Sequence, residues 1–279
     1  MIAIGLAAAA VIGVVLGALG GGGSILTVPV LVYIVGTPAV QATAYSLFVV
    51  GVTAAVGAVG HIRSGNVDLR TAALFAPPSL VAVFVTRRFL VPAIPDPVFH
   101  LGSLPVTRET LIMTLFALTM LVAAVSMIRG CKRCVTAGEK KMDPESAEGA
   151  DRHSNPLFIL IEGAVVGVIT GIVGAGGGFL IIPALVLVGG LPMKRAVGTS
   201  LLIIAAKSLI GFSGDLGAAT ALDWGFLLPF TGFAVLGIIG GVFLARSIDG
   251  ARLRPAFGWL VLGMGTFITV QQLVAATPL

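Results

Sequence analysis

Two glycine clusters, each set inside a long apolar segment, constrain the fold of this 279-residue chain more than any other feature. The first reads Gly17-Ala18-Leu19-Gly20-Gly21-Gly22-Gly23-Ser24-Ile25-Leu26-Thr27-Val28-Pro29. The second reads Gly171-Ile172-Val173-Gly174-Ala175-Gly176-Gly177-Gly178-Phe179-Leu180-Ile181-Ile182-Pro183. A helix broken within lipid exposes backbone N–H and C=O groups that hydrocarbon cannot satisfy, so the break must be buried in protein or line a polar cavity. Paired breaks in matching halves of a membrane protein point to the ligand site of a transporter.

The membrane assignment follows from composition. Only 10% of the residues are charged and 57% are hydrophobic, whereas a soluble domain carries roughly a quarter charged residues. Apolar segments run at 2–35, 40–60, 70–86, 109–128, 156–189, 197–213, 224–245 and 255–277. They are unbroken rather than alternating, so they are helices and not the strands of a barrel. The first has no Lys or Arg ahead of it and no small-residue cleavage site after a short apolar run, so it is expected to belong to the mature fold rather than to a secretion signal.

Segments 2–35 and 156–189 are too long for single spans. As straight helices they would extend about 51 Å, against a hydrocarbon core of about 30 Å. A glycine cluster lies inside each, which predicts a helix–break–helix hairpin that enters the membrane and returns. Pro29 and Pro183 limit the second limb by leaving a carbonyl without its partner.

The chain also repeats. At an offset of 154 residues and without gaps, Gly13–Leu47 matches Gly167–Leu201 at 15 of 35 positions, including Gly20/Gly174, Gly22/Gly176, Gly23/Gly177, Pro29/Pro183, Pro38/Pro192 and Ser46/Ser200. Two homologous halves follow, 1–128 and 156–279, joined by a polar linker at 129–155. With every apolar segment crossing once, Lys and Arg divide evenly between the two faces. With the two long segments folded back, 13 fall on one face and 3 on the other, the latter being Arg87, Arg88 and Arg108. The positive-inside rule selects the second arrangement. The expected fold is therefore an all-α integral membrane protein of two inverted-topology repeats, each a glycine-broken, re-entrant hairpin followed by three transmembrane helices. The linker is expected to be cytoplasmic and both termini periplasmic, in a bacterial inner membrane.

The net charge of +5 belongs to the cytoplasmic loops of such a protein and does not call for nucleic acid. Lys207 is the one basic residue that this segmentation leaves inside a span. Its insertion costs about 2.5–3.5 kcal/mol on translocon scales. A snorkelling lysine is the structural alternative, but mid-span depth favours a cation facing a central cavity. Its repeat partner is Thr53, so the symmetry breaks at this charge. At the breaks, Gly20, Gly21, Gly22, Gly23, Gly174, Gly176, Gly177 and Gly178 offer backbone N–H groups at helix starts, which favour an anion. Close helix packing is the alternative use of glycine, and it suffices for Gly13, Gly17, Gly167 and Gly171. Ser24, Thr43, Ser46, Thr199 and Ser200 are hydroxyls placed to donate to an oxyanion or to bond their own helices. His61, Glu162 and Asp215 are candidates for proton coupling.

Enzyme readings fail on their own terms. The second cluster lacks the strand before it and the Lys-Ser/Thr after it that nucleotide loops need. Gly211-Phe212-Ser213-Gly214 resembles a rhomboid protease motif, but no histidine follows residue 153. Cys131 and Cys134 with His153 fall short of the four ligands of structural zinc. No cofactor, metal or nucleic-acid partner is expected.

The paired Gly-x-Gly-Gly-Gly-x-x-x-x-Pro pattern, at Gly174–Pro183 and in variant form at Gly20–Pro29, resembles the TauE/SafE sulfite exporter family. So do Val197-Gly198-Thr199-Ser200-Leu201 and the loop Pro92-Ala93-Ile94-Pro95. The resemblance implies a permease for small sulfur-containing anions such as sulfite, sulfoacetate or other organosulfonates, exporting under the proton motive force. Tyr45 stands where the second half has Thr199, which implies an altered substrate pocket. A passive anion channel and a non-transport membrane factor of sulfur metabolism stay open as alternatives, as does a homodimer.

Overall fold

A computed structural model describes residues 2–21, 23–101, 104–138, 156–187, 191–216, 222–247 and 250–276. Helices α1 (Ile2–Leu19), α2 (Ser24–Pro29), α3 (Ala39–Arg63), α4 (Leu69–Val85), α5 (Val91–Ala93) and α6 (Arg108–Gly138) make the first half. Helices α7 (Pro156–Val173), α8 (Gly178–Leu187), α9 (Met193–Asp215), α10 (Trp224–Ser247) and α11 (Gly250–Ala276) make the second. One short antiparallel pair, β1 (Phe99–Leu101) and β2 (Leu104–Val106), interrupts this helical architecture between α5 and α6. Among the described residues, five helices are long and apolar enough to cross a membrane, at Ala39–Arg63, Leu69–Ala93, Arg108–Val125, Arg195–Asp215 and Trp224–Leu244. Large apolar side chains such as Val81, Leu236, Phe243 and Trp259 stand exposed on the outer faces, as lipid contact requires.

Both long apolar segments are broken where glycines cluster. In the first, the chain reverses: Gly23 packs on the backbone of Leu16 and Ile12, and the start of α1 at Gly5 lies against Val35. Pro29 lacks the N–H that α-helix would need, and the chain continues as a π-helical turn, Val30–Val35. The limb ends at Gly36, φ 82°, with Thr37 N–H donating to the Leu31 carbonyl at 2.9 Å. This is a left-handed helix stop. The second half closes its limb with the corresponding bond, Leu191 N–H to Leu185 at 3.0 Å. Two further bonds recur at the same offset. Gly20 and Gly174 donate back to Leu16 and Thr170, and Ala42 and Ala196 donate back to Pro38 and Pro192. The repeat seen in the sequence is thus a repeat of backbone bonds.

Helices α3 and α9 lie against each other at the centre and are the most buried of the candidate spans. The other pairings exchange between halves: α1 packs on α10 and α7 packs on α4, while α6 packs on α11. Glycines permit these approaches. Gly13 and Gly17 rest on the α10 backbone near Ala234 and Ile238, and Gly167 and Gly171 rest on α4 near Ser79 and Val83. That is the packing role expected for these four, and lipid-embedded helices associate through such small residues.

Two expectations need correction. Helix α6 continues to Gly138, into the segment expected to be a solvated linker; residues 139–155 lie outside the described residues. The third apolar segment does not end at residue 86. A π-helical turn, Thr86–Leu90, carries it on to α5, so Arg87 and Arg88 belong to the helix rather than to a loop.

Candidate functional site

The two breaks meet at the centre of the molecule. A Cβ built on Gly21 would sit 3.1 Å from the Gly178 Cα and 2.5 Å from the Ile204 side chain. Each break is lined by the long central helix of the opposite half. Val197, Ser200 and Ile204 of α9 face the first; Thr43 and Val50 of α3 face the second. Ser46 falls between them on the same face of α3, by helical spacing.

The first break is closed by one hydroxyl from each half. Ser24 Oγ donates to the Gly21 carbonyl at 2.7 Å, and Ser200 Oγ donates to the Gly20 carbonyl at 2.6 Å. Ser24 N–H also bonds Gly21. These groups brace the turn, so their donors are engaged within the protein. Gly22 lies outside the described residues.

The second break is built differently. Gly174, Gly176 and Gly177 have φ of 71°, 64° and 75°. This left-handed backbone is open to glycine and costly for other residues. The amides of Gly174 and Gly177 are used locally, on Thr170 and Ala175. Around this turn stand side-chain donors. Lys207, fully buried on α9, donates from Nζ to Thr170 Oγ1 at 3.0 Å and lies where a Cβ on Gly177 would come within 2.5 Å. A second cation, Arg87, is 1% exposed and fills the space beside Gly174. Its Nη1 donates to Thr43 Oγ1 at 3.0 Å and lies 3.5 Å from the Asp215 carboxylate. Among the described residues its Nε and Nη2 have no hydrogen-bond partner, and neither have the buried hydroxyls of Ser46 and Ser208.

Arg87 corrects the assignment of Lys207 as the one intramembrane cation. Hydropathy ends the segment at an Arg-Arg pair, which resembles a membrane boundary. The π-turn carries the helix further and turns Arg87 inward while Arg88 stays exposed. The signal available in sequence was an acidic residue, Asp215, at the end of another apolar segment. Asp215 is not a solvated interfacial group; it is 6% exposed and paired with Arg87.

The remaining candidates lie elsewhere. Thr199 is buried, and its Oγ1 accepts from the Asp68 N–H at 2.9 Å, docking the start of α4 rather than a break. His61 packs by Gly198 at the opposite end of α9 from Asp215, a separation of about 26 Å along that helix. Glu162 is half-buried on α7, two turns before Thr170. Tyr45 is buried, but its hydroxyl accepts from the Asp223 N–H at 2.7 Å and from Gln41 Nε2 at 2.9 Å, so it ties α3 to the start of α10.

Spanning helices that converge on broken helices with buried cations define a multi-pass membrane transporter. The comparisons agree. The chain belongs to the TauE/SafE family: the family model described as "Sulfite exporter TauE/SafE" matches residues 5–268. It is similar to a "Probable membrane transporter protein" of Xylella fastidiosa (strain 9a5c), 31% identical over 235 residues, 82% of this chain and 78% of the relative. A protein of the same description from Xylella fastidiosa (strain Temecula1 / ATCC 700964) is 32% identical over 204 residues, 71% of this chain and 68% of the relative. No solved structure matches the chain significantly.

Proposed function

We propose that this transporter is a secondary carrier of small sulfur-containing anions, namely sulfite, sulfoacetate or related organosulfonates. It exports them across a bacterial inner membrane under the proton motive force, by alternating access around the two glycine breaks. The observation that carries this reading is Lys207, fully buried against the second break and, among the described residues, hydrogen-bonded through Nζ to the Thr170 hydroxyl alone. A buried ammonium is costly unless paired, and a bound anion supplies the pairing charge. A carrier of neutral solutes has no use for it.

The exchange of packing partners between halves supports two pseudo-equivalent units that rock about α3 and α9. In the proposed topology these units are inverted, with the 139–155 segment cytoplasmic. Burial of Lys207 corresponds to the occluded stage of the cycle, closed to both faces.

Sulfite efflux from proteoliposomes loaded with the purified chain tests this function. The carrier predicts flux that saturates with sulfite and changes with an imposed pH gradient. Ohmic, non-saturating current would make the protein a channel, and no flux of any sulfur oxyanion would remove the function.

A further inference from the structure

The second break holds more positive charge than Lys207 supplies. We propose that Arg87 is a second anion-binding residue. In this arrangement the site accepts a singly charged oxyanion, a sulfonate or hydrogensulfite, whose oxygens take the open Nε–Nη2 edge of the Arg87 guanidinium while Asp215 stays beside Nη1. The proposal rests on the transport function above and specifies which charge state the site selects.

The geometry of Arg87 points to a ligand. A guanidinium carries five donors in a planar fork. Nη1 is used by Thr43 and Asp215, but Nε and Nη2 are buried without a partner among the described residues. Nη2 is the atom against Gly174, so the unpaired edge faces the break. Lys207 Nζ reaches the same turn at Gly177, and the unpaired Ser208 hydroxyl lies 3.2 Å from where a Cβ on Gly176 would be. Buried donors left unmade are expensive. Two oxygens of one sulfonate match the guanidinium fork bidentately, and the third is left for Lys207 or a hydroxyl. Asp215 leaves that edge open: it approaches Nη1, at 3.5 Å.

Charge balance then sets the ligand. Arg87, Lys207 and Asp215 sum to one positive charge. Other ionisable groups on the neighbouring elements stand apart. His61 and Arg63 end α3 beside the first turn of α9, Asp68 and Arg70 begin α4 near Thr199, and Arg88 is exposed. Glu162 sits two turns along α7 from Thr170. A monoanion neutralises the buried set. A dianion leaves an unpaired negative charge in a low-dielectric interior unless Asp215 takes up a proton, so a dianion enters together with one proton.

The test is calorimetric titration of the purified full chain, in a detergent free of phosphate and phospholipid, with methanesulfonate as monoanion and sulfoacetate as dianion. Arg87→Gln alone strands a buried carboxylate, so the informative pair is Asp215→Asn and the double variant Arg87→Gln/Asp215→Asn. Asp215→Asn is expected to keep methanesulfonate binding and to improve sulfoacetate relative to it by about tenfold or more. The double variant is expected to lose about ten- to a hundredfold in methanesulfonate affinity, the loss of charge-assisted hydrogen bonds. Unchanged binding in the double variant, with binding lost in Lys207→Met, would overturn the role of Arg87 and leave the transport function standing. Absence of anion binding in the unmodified protein would defeat both. Competition by added phosphatidylglycerol would assign the site to a lipid headgroup and overturn the proposal.

Discussion

Gly178 and Gly21 touch backbone to backbone: a Cβ on Gly178 would collide with the Gly21 carbonyl. The two breaks, one from each half, therefore cross with no side chain between them. Gly178→Ala forces them apart. The expected cost is about 1–3 kcal/mol, the usual penalty for overpacking, seen as a lower melting temperature together with impaired sulfite flux. Gly240→Ala is the control, because a Cβ there meets nothing within 4 Å; it should melt at or near the temperature of the unmodified protein.

Ser200 is predicted to brace the first break and not to bind ligand. Its hydroxyl donates to the Gly20 carbonyl at 2.6 Å. Ser200→Ala should cost about 0.5–1.5 kcal/mol of stability, with faster amide hydrogen exchange at Gly20 and Gly21. Sulfite affinity should stay within about twofold, since the loss is structural and a twofold change corresponds to only about 0.4 kcal/mol. Ser46 is the contrasting position, its buried hydroxyl unpartnered on the α3 face toward the second break. Ser46→Ala should leave the melting temperature in place and weaken anion binding.

Tyr45 separates a structural role from a substrate role in the same way. The Tyr45→Phe variant loses the hydroxyl that accepts from Asp223 and Gln41. A drop in melting temperature equivalent to about 1 kcal/mol is expected, with substrate preference unchanged across sulfite, sulfoacetate and taurine. A change of preference would return Tyr45 to the pocket.

Much of this architecture was legible in the sequence because its causes are local. Glycine runs break helices, Pro29 ends α-helical hydrogen bonding, and an apolar segment that would extend about 51 Å as a straight helix must turn back within a core of about 30 Å. The repeat was legible because the glycines and prolines that shape the backbone stayed in register. The charge network was not. Arg87 and Asp215 each close an apolar segment, where a charge ordinarily meets water. Only the π-turn at Thr86–Leu90 and the packing of that turn on α9 bring them together. Hydroxyl roles were equally hidden, because Ser200 and Ser46 are repeat partners with the same flanking pattern, yet one is engaged and the other unpartnered. The β1–β2 pair, three residues a strand, is too short to register as periodicity.

The central claim is that a bound anion neutralises Lys207 at the second break. Thermal-shift titration of the purified protein with sulfite tests it most directly, because a ligand that binds only the folded state raises the melting temperature by mass action. The account predicts a sulfite-dependent rise in the unmodified chain and none in Lys207→Met, whose own melting temperature without sulfite should be no lower, since an apolar side chain of similar length replaces a buried charge. An equal sulfite-dependent rise in Lys207→Met would contradict it.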